Sequence, residues 1–422
     1  MKCNMYFRIG LAVMLLMNGS FAMAAEMPSQ EEMWRIIQQQ QREIEALKNQ
    51  QATTREQVEA TGEVIDEMQA GDAVTQRSQT ASLSQHGLFG HGKSGSTTIG
   101  GYGELHYNNL NNSLPGGIDN KKIELHRAIL FVGHEFNDRL RFWSELEIER
   151  AQAGDKLAGG EVAMEQAFLE YDLTNNLSGR AGLLLMPVGI LNETHEPPTF
   201  YGVERNPVES NIIPTTWREG GVGFNGHFSS GLSYDLLVHS GLRTDVATNF
   251  AVRKGRTFAR AAPANNLAYT GRIKWTGLPG LELATTLQYQ SDITQSFNAS
   301  AGSAWLAETH AVWNSGPFGL RALYATWNLD GTGPASFGAN KQTGWYVEPS
   351  FKITPELGLF ARYNRWDNQA GDAIDSRFSQ LDLGVNYWLH PDVVIKADYQ
   401  NQAGPVGVGK FDGFNLGVGY QF

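Results

Sequence analysis

Cysteine is almost absent from this chain of 422 residues: there is one, Cys3. It lies before the apolar run from Ile9 to Met17, so it is not the lipid-bearing cysteine that follows such a run, and the rest of the chain has no thiol for disulfide or cysteine chemistry. Long hydrophobic runs are missing too. The stretch 9–17 is too short to cross a bilayer as a helix, and no later segment is longer and apolar enough. With Lys2 and Arg8 ahead of it and Ala22-Met23-Ala24 behind, it reads as a secretory signal over residues 1–24. Positive charge is also in deficit, 33 Lys and Arg against 44 Asp and Glu for a net charge of −11. No basic run with interleaved aromatics offsets it, which excludes nucleic acid as a partner. The mean hydropathy of −0.33 suits a soluble protein, yet a membrane β-barrel gives the same value, because only alternate residues of its strands face lipid.

Residues 25–70 turn to Gln, Glu, Ala and Lys, a helical vocabulary. Ile37, Ile44, Gln51, Val58 and Ile65 recur every seven residues, and Met33, Gln40, Leu47, Thr54, Thr61 and Met68 recur in the companion register. These are the a and d positions of a coiled coil, and β-branched residues at a with non-leucine d positions favour three strands. Its polar seam positions leave a monomeric amphipathic helix as the alternative. Residues 71–96 are rich in Gly, Ser, Thr and Gln without apolar periodicity, a flexible linker. Its His86 and His91 are read as solvated, since two ligands on a flexible segment make no metal site.

From 97 to 422 the pattern changes to alternation. In the last stretch Phe414, Leu416, Val418, Tyr420 and Phe422 fall on every second position, with Asn415, Gly417, Gly419 and Gln421 between them. Such a strand shows lipid an apolar face and a lumen a small or polar one. Leu281, Leu283, Leu287 and Tyr289 oppose Glu282, Thr286, Gln288 and Gln290 in the same way; Trp143 and Leu320 break the pattern. Tyr107, Trp275, Tyr289, Trp313, Trp327, Tyr363 and Trp388 near strand ends suit interfacial girdles. Seven short connections, such as Asn137-Asp138 and His390-Pro391, alternate with eight long polar ones, of which 188–216 is the longest. The fold class predicted is an all-β transmembrane barrel of about sixteen antiparallel, up-and-down strands, a size that leaves an aqueous lumen.

A chain ending on an aromatic residue within such a strand resembles bacterial outer-membrane barrels. The barrel as a whole resembles the phosphate-selective porin O and P family, most specifically in Gly182-Leu183-Leu184-Leu185-Met186-Pro187-Val188-Gly189 and in the run from Asn192 to Arg205. The resemblance implies an outer-membrane channel in which the long loop after the fifth strand folds inward as a constriction. It would bring Glu193, His195, Glu196, Tyr201, Glu204, Arg205 and Glu209 to the narrow section. It also implies recognition of Phe422 by the outer-membrane barrel assembly machinery, and contact with lipid and lipopolysaccharide. A homotrimer follows from the three-stranded seam, with the coil on the periplasmic side.

The alternation turns Glu104, Glu145, Glu147, Glu149, Glu170, Asp172, Asp235, Glu282, Glu308, Glu348, Asp382 and Asp398 inward, against Arg141, Arg272, Lys274, Lys352, Arg362 and Lys396. Acid outnumbers base, which predicts a diffusion channel for small hydrophilic solutes and ions with a weak lean towards cations; the family resemblance implies anions instead. Arg243, Arg253, Lys254, Arg256 and Arg260 form a basic cluster at the outer mouth. Gly-Tyr-Gly at Gly101 and Gly-Val-Gly at Gly221 lack the following helix of a phosphate loop. Glu104 with His106, and Glu308 with His310, share strand faces as lumen residues do by chance. No cofactor, metal or catalytic site is therefore predicted. Two rivals of another class, an outer-membrane enzyme and a structural tether, would fail to leak dye from liposomes where a channel succeeds.

Overall fold

The computed structural model describes residues 95–151 and 160–422. The expected signal, the coil and nearly all of the linker, with His86 and His91, lie outside the described residues. Sixteen strands close into one antiparallel barrel in which each strand pairs with its sequence neighbours and β1 pairs with β16. They are β1 Thr97–Asn112, β2 Asn120–Asn137, β3 Leu140–Glu149, β4 Val162–Thr174, β5 Leu177–Leu185, β6 Arg218–His227, β7 Leu232–His239 and β8 Ala268–Leu278. The second half is β9 Leu281–Gln290, β10 Ala304–Ser315, β11 Phe318–Leu329, β12 Lys341–Lys352, β13 Leu357–Asp367, β14 Phe378–His390, β15 Val393–Ala403 and β16 Phe411–Gln421. Closure is secured at the chain end, where the Gly101 and Phe422 backbones exchange two hydrogen bonds of 2.9 and 3.0 Å.

The apolar faces point out as lipid requires. Phe414, Leu416, Val418 and Tyr420 are 42–59% exposed. Leu320 also faces out, so its strand keeps the alternation. Trp143 faces in and packs on Tyr102, Ile129 and Phe131. Two of the expected girdle residues do not lie at the lipid interface. Trp327 is fully buried and donates its Nε1–H to the Ile212 carbonyl at 3.1 Å; Trp388 donates to the Pro198 carbonyl at 3.1 Å. Both stack against the long loop inside the barrel.

That loop, residues 186–217 and here called L3, folds into the barrel and gives part of the interior an apolar lining. Met186, Val188, Ile190, Leu191, Val208, Ile212, Ile213 and Trp217 of L3 join Leu306, Leu323, Ala325, Trp327, Tyr346 and Trp366 of the wall in one buried apolar cluster. The inward face of β11 is apolar from Leu323 onward for this reason. Lipid constrains only the outer face, so the inner face is free to become a docking surface for the chain's own loop.

Candidate functional site

L3 owes its shape to its own polar residues first. The Glu209 carboxylate, on the short helix Val208–Asn211, accepts from the backbone amides of Ile190 at 2.6 Å and Leu191 at 2.7 Å, from Asn206 Nδ2 at 2.7 Å and from Tyr346 of β12 at 2.9 Å. Gly189 makes this approach possible: its φ is +81° and a Cβ there would lie 2.6 Å from the carboxylate. Asn192 ties the two roots of the loop, donating to the Met186 and Trp217 carbonyls and accepting from the Trp217 amide.

The wall then meets the loop residue by residue. Five successive carbonyls, of Pro198, Thr199, Phe200, Tyr201 and Gly202, receive hydrogen bonds from Trp388, Arg321, Asn386, Arg362 and Lys396 at 2.7–3.2 Å. The Val203 amide donates to Asp398 at 2.7 Å. Arg362 and Lys396, predicted to line the lumen, face inward and hold the loop backbone. Pro197 packs so closely on Gly419 that a Cβ on that glycine would stand 2.2 Å from it. Gly419 and Trp388 both lie towards the short-turn end, so L3 enters from its roots at the long-loop end and descends most of the barrel's depth.

On the β1 side Glu204 accepts from Asn108 at 3.0 Å and meets His106 at 3.2 Å. Burial alone would raise the Glu204 carboxyl, but the hydrogen bond and charge of His106, with His126 and Asn108 adding to them, hold it at about 2. His195 lies between β2 and β4, its carbonyl accepting from Arg127 at 2.7 Å and its Nε2 3.3 Å from Glu165. Burial, with Arg205 nearby, holds its imidazole below the ordinary value. Glu193 ion-pairs with Arg272 of β8, and Glu196 is buried on the loop near the Thr199 hydroxyl. Tyr201 packs edge-on against Trp388.

Counting acids against bases misrepresents this interior, because most of the inward charges neutralise one another. Glu104 pairs with Arg127, Glu170 with Arg141 and Arg180, Asp172 with Arg141, Asp235 with Arg272, Glu282 with Lys274, and Glu348 and Asp382 with Arg362. Glu145 and Glu147 face inward and are buried, and Glu149 faces inward at the outer end of β3. Lys352 stands at the exposed rim with its ammonium over Trp388. The alternation did not single out Arg127, Glu165, Arg180, Arg218 or Arg321, which also face inward; register shifts in β1–β2, at Arg127, and in β3–β4, at Glu165, obscure part of that parity.

The basic cluster of the loop between β7 and β8 divides. Arg253 and Arg256 donate to the L3 carbonyls of Ser210 and Thr215, beside Arg205 and Arg218. Among the described residues none of these four has an ion-pair partner, and the Nε atoms of Arg218 and Arg256 are buried without a hydrogen bond. Burial, and then repulsion from Arg253, Arg218 and Arg205, push the Arg256 guanidinium down to about 10. Arg243 instead stacks on Phe297, while Lys254 and Arg260 are exposed. Opposite the wall that holds residues 197–204, a small cavity of ≈ 20 Å³, partly open, is lined by Gln166, Arg180, Glu193, Asn225, Asp235 and Leu237 among others.

A protein of Aquifex aeolicus (strain VF5), described only as uncharacterised, is 32% identical over 333 residues, 72% of this chain and 74% of its own length. The chain belongs to that protein's family. No family model matches it. Among solved structures it is similar to the anion-selective porin from Comamonas acidovorans, at 12% identity and TM-score 0.55 over 78% of this chain and 100% of that one. It is also similar to the outer-membrane channel DcaP of Acinetobacter baumannii, at 14% identity and TM-score 0.54 over 78% and 98%. OmpF of Salmonella typhi, solved with daunomycin, gives 14% and 0.53 over 78% and 98%. At such identities the likeness is one of fold: a closed antiparallel barrel of sixteen strands, like those of porins.

Proposed function

We propose that the protein is a channel of the bacterial outer membrane through which small hydrophilic solutes and ions diffuse passively, with L3 as its constriction and no catalytic step. The observation that carries this reading is the asymmetric seating of L3. Its tip is bonded to β11–β15 by successive carbonyls, while polar side chains of β4–β7 face a small cavity across from it. The proposed route lies on that second side, past the bridged Glu193–Arg272 pair and the wall carrying Arg180 and Asp235. Reconstitution in planar bilayers tests it: stepwise conductance is expected from the purified full chain, and the absence of any conductance or dye leakage would sink it.

The cluster of Arg205, Arg218, Arg253 and Arg256 favours a second reading over the cation lean predicted by residue counts, namely a preference for anions, in line with the resemblance to phosphate-selective porins. Guanidinium groups without carboxylate partners offer an oxyanion charge-assisted hydrogen bonds, Arg253 from the exposed loop and Arg218 from the buried wall behind it. The sign of the zero-current potential under a KCl gradient decides between the two. The same proposal includes an assembly of three chains held by periplasmic coils over 25–70, insertion directed by the strand ending in Phe422, and lipopolysaccharide and lipid around the barrel.

A further inference from the structure

Where L3 meets the β3–β4 wall, three side chains from three elements converge. Glu145, Glu165 and His195 each present one ligand atom, and these atoms all lie within 4.8 Å of one another. None of the three residues is more than 3% exposed. His195 Nε2 stands 3.3 Å from Glu165 Oε2 and 3.8 Å from Glu145 Oε1.

One carboxylate oxygen at this spot has no partner, and the imidazole faces acceptors on both sides. The other imidazole nitrogen, Nδ1, is 3.1 Å from the Asn192 carbonyl oxygen, which can only accept. A neutral imidazole carries a single N–H. Given to the carbonyl, it leaves the Nε2 lone pair turned on two carboxylates. Glu165 Oε1 is enclosed and takes no hydrogen bond at all. The two carboxylates also repel in a site shut off from water, and Glu147 adds a third beside Glu165. The guanidinium at hand, Arg127, is engaged with Glu104, the Tyr102 hydroxyl and the His195 carbonyl.

We propose that Glu145, Glu165 and His195 bind a divalent transition-metal cation of the zinc class, which fastens L3 to the barrel wall. Such an ion accepts the Nε2 lone pair, engages the enclosed Glu165 carboxylate and offsets the repulsion in one step. One imidazole nitrogen with carboxylate oxygens is a donor set that zinc and its first-row neighbours take, whereas calcium and magnesium prefer oxygen alone. The surroundings hold the ligands ready. A metal-bound histidine commonly gives its second N–H to a backbone carbonyl, as Nδ1 is placed to do here. Gln166 Nε2 donates to Glu145 Oε2 at 2.7 Å and Tyr102 to Glu145 Oε1 at 3.2 Å. Three protein ligands leave a further position for water.

The test uses the full chain, refolded in detergent without lipopolysaccharide, treated with EDTA and titrated with Co²⁺. Saturation at one equivalent per chain is expected, with visible d–d absorption that Zn²⁺ abolishes. In Glu165→Gln and His195→Ala, checked as folded by heat-modifiable mobility, affinity should fall at least ~100-fold, since even outer-shell partners are worth ~10–100-fold. Absence of saturable binding, or undiminished binding in both folded variants, overturns the site. If neither variant folds, X-ray absorption at the cobalt edge of the unaltered protein decides: one imidazole is expected in the shell, and none overturns the proposal. The readout is the metal, so its failure stands apart from any failure of the channel reading.

Discussion

At the scale of single residues, the loop is organised around carboxylates that accept from several donors at once. Replacing Glu209 by Ala strands the amides of Ile190 and Leu191 and the Tyr346 hydroxyl. Hydrogen bonds to a charged group contribute ~1.5–3 kcal/mol each, so L3 is expected to loosen before the barrel does. Noisier, larger conductance steps with little change in the barrel's own melting would show this. Glu204 gives a pH dependence whose sign follows from its depressed value of about 2 against an ordinary 4.5. The folded-state value lies below the unfolded one, so the stabilisation is present above pH 4.5 and is lost as pH falls from there towards 2. Glu204→Gln should remove part of the fall in melting temperature within that window. An unchanged acid profile would mean that the contact with His106 contributes nothing.

At the scale of elements, β16 and β11 show two uses of an alternating strand. In β16 the apolar positions face lipid and the chain end closes the ring, so Phe422→Asp puts a charge on the terminal residue of the closing strand. The expected result is a lower yield of heat-modifiable, membrane-inserted protein; normal levels would remove Phe422 from assembly. In β11 Leu323, Ala325 and Trp327 are apolar on the inner face because L3 lies on them. Trp327→Ala opens a cavity under the loop and loses the bond to Ile212, a cost of ~3–5 kcal/mol for a buried tryptophan. The melting temperature should drop although the outer face is untouched.

At the scale of the whole molecule, the proposed channel would owe its selectivity to groups that the pairing of inward charges does not neutralise. The quadruple neutral variant of Arg205, Arg218, Arg253 and Arg256 to Gln should move the zero-current potential under a KCl gradient towards cation preference. The shift should be largest at low salt, because the Debye length falls from about 30 Å at 0.01 M to about 3 Å at 1 M. No shift would place the selective section elsewhere. If residues 25–70 join three chains, cross-linking in native detergent extracts yields trimers, and deletion of that segment weakens them without unfolding the barrel.

The sequence by itself determined the barrel: the number of strands, which connections are short or long, and which residues of β9 and β16 face lipid. Those features are local, because a membrane of fixed thickness imposes a period of two and a strand length on every span. It also marked 188–216 as the exceptional loop, through its length. Only the tertiary structure decided what the interior does. Val203 meets Asp398 and Gly202 meets Lys396 across nearly two hundred residues of chain. Arg253 reaches Ser210 from another loop, and Glu145, Glu165 and His195 converge from three elements. Water tolerates almost any side chain on a lumen wall, so the pattern along a strand carries no sign of which inward residues will hold a loop, neutralise each other or stand free.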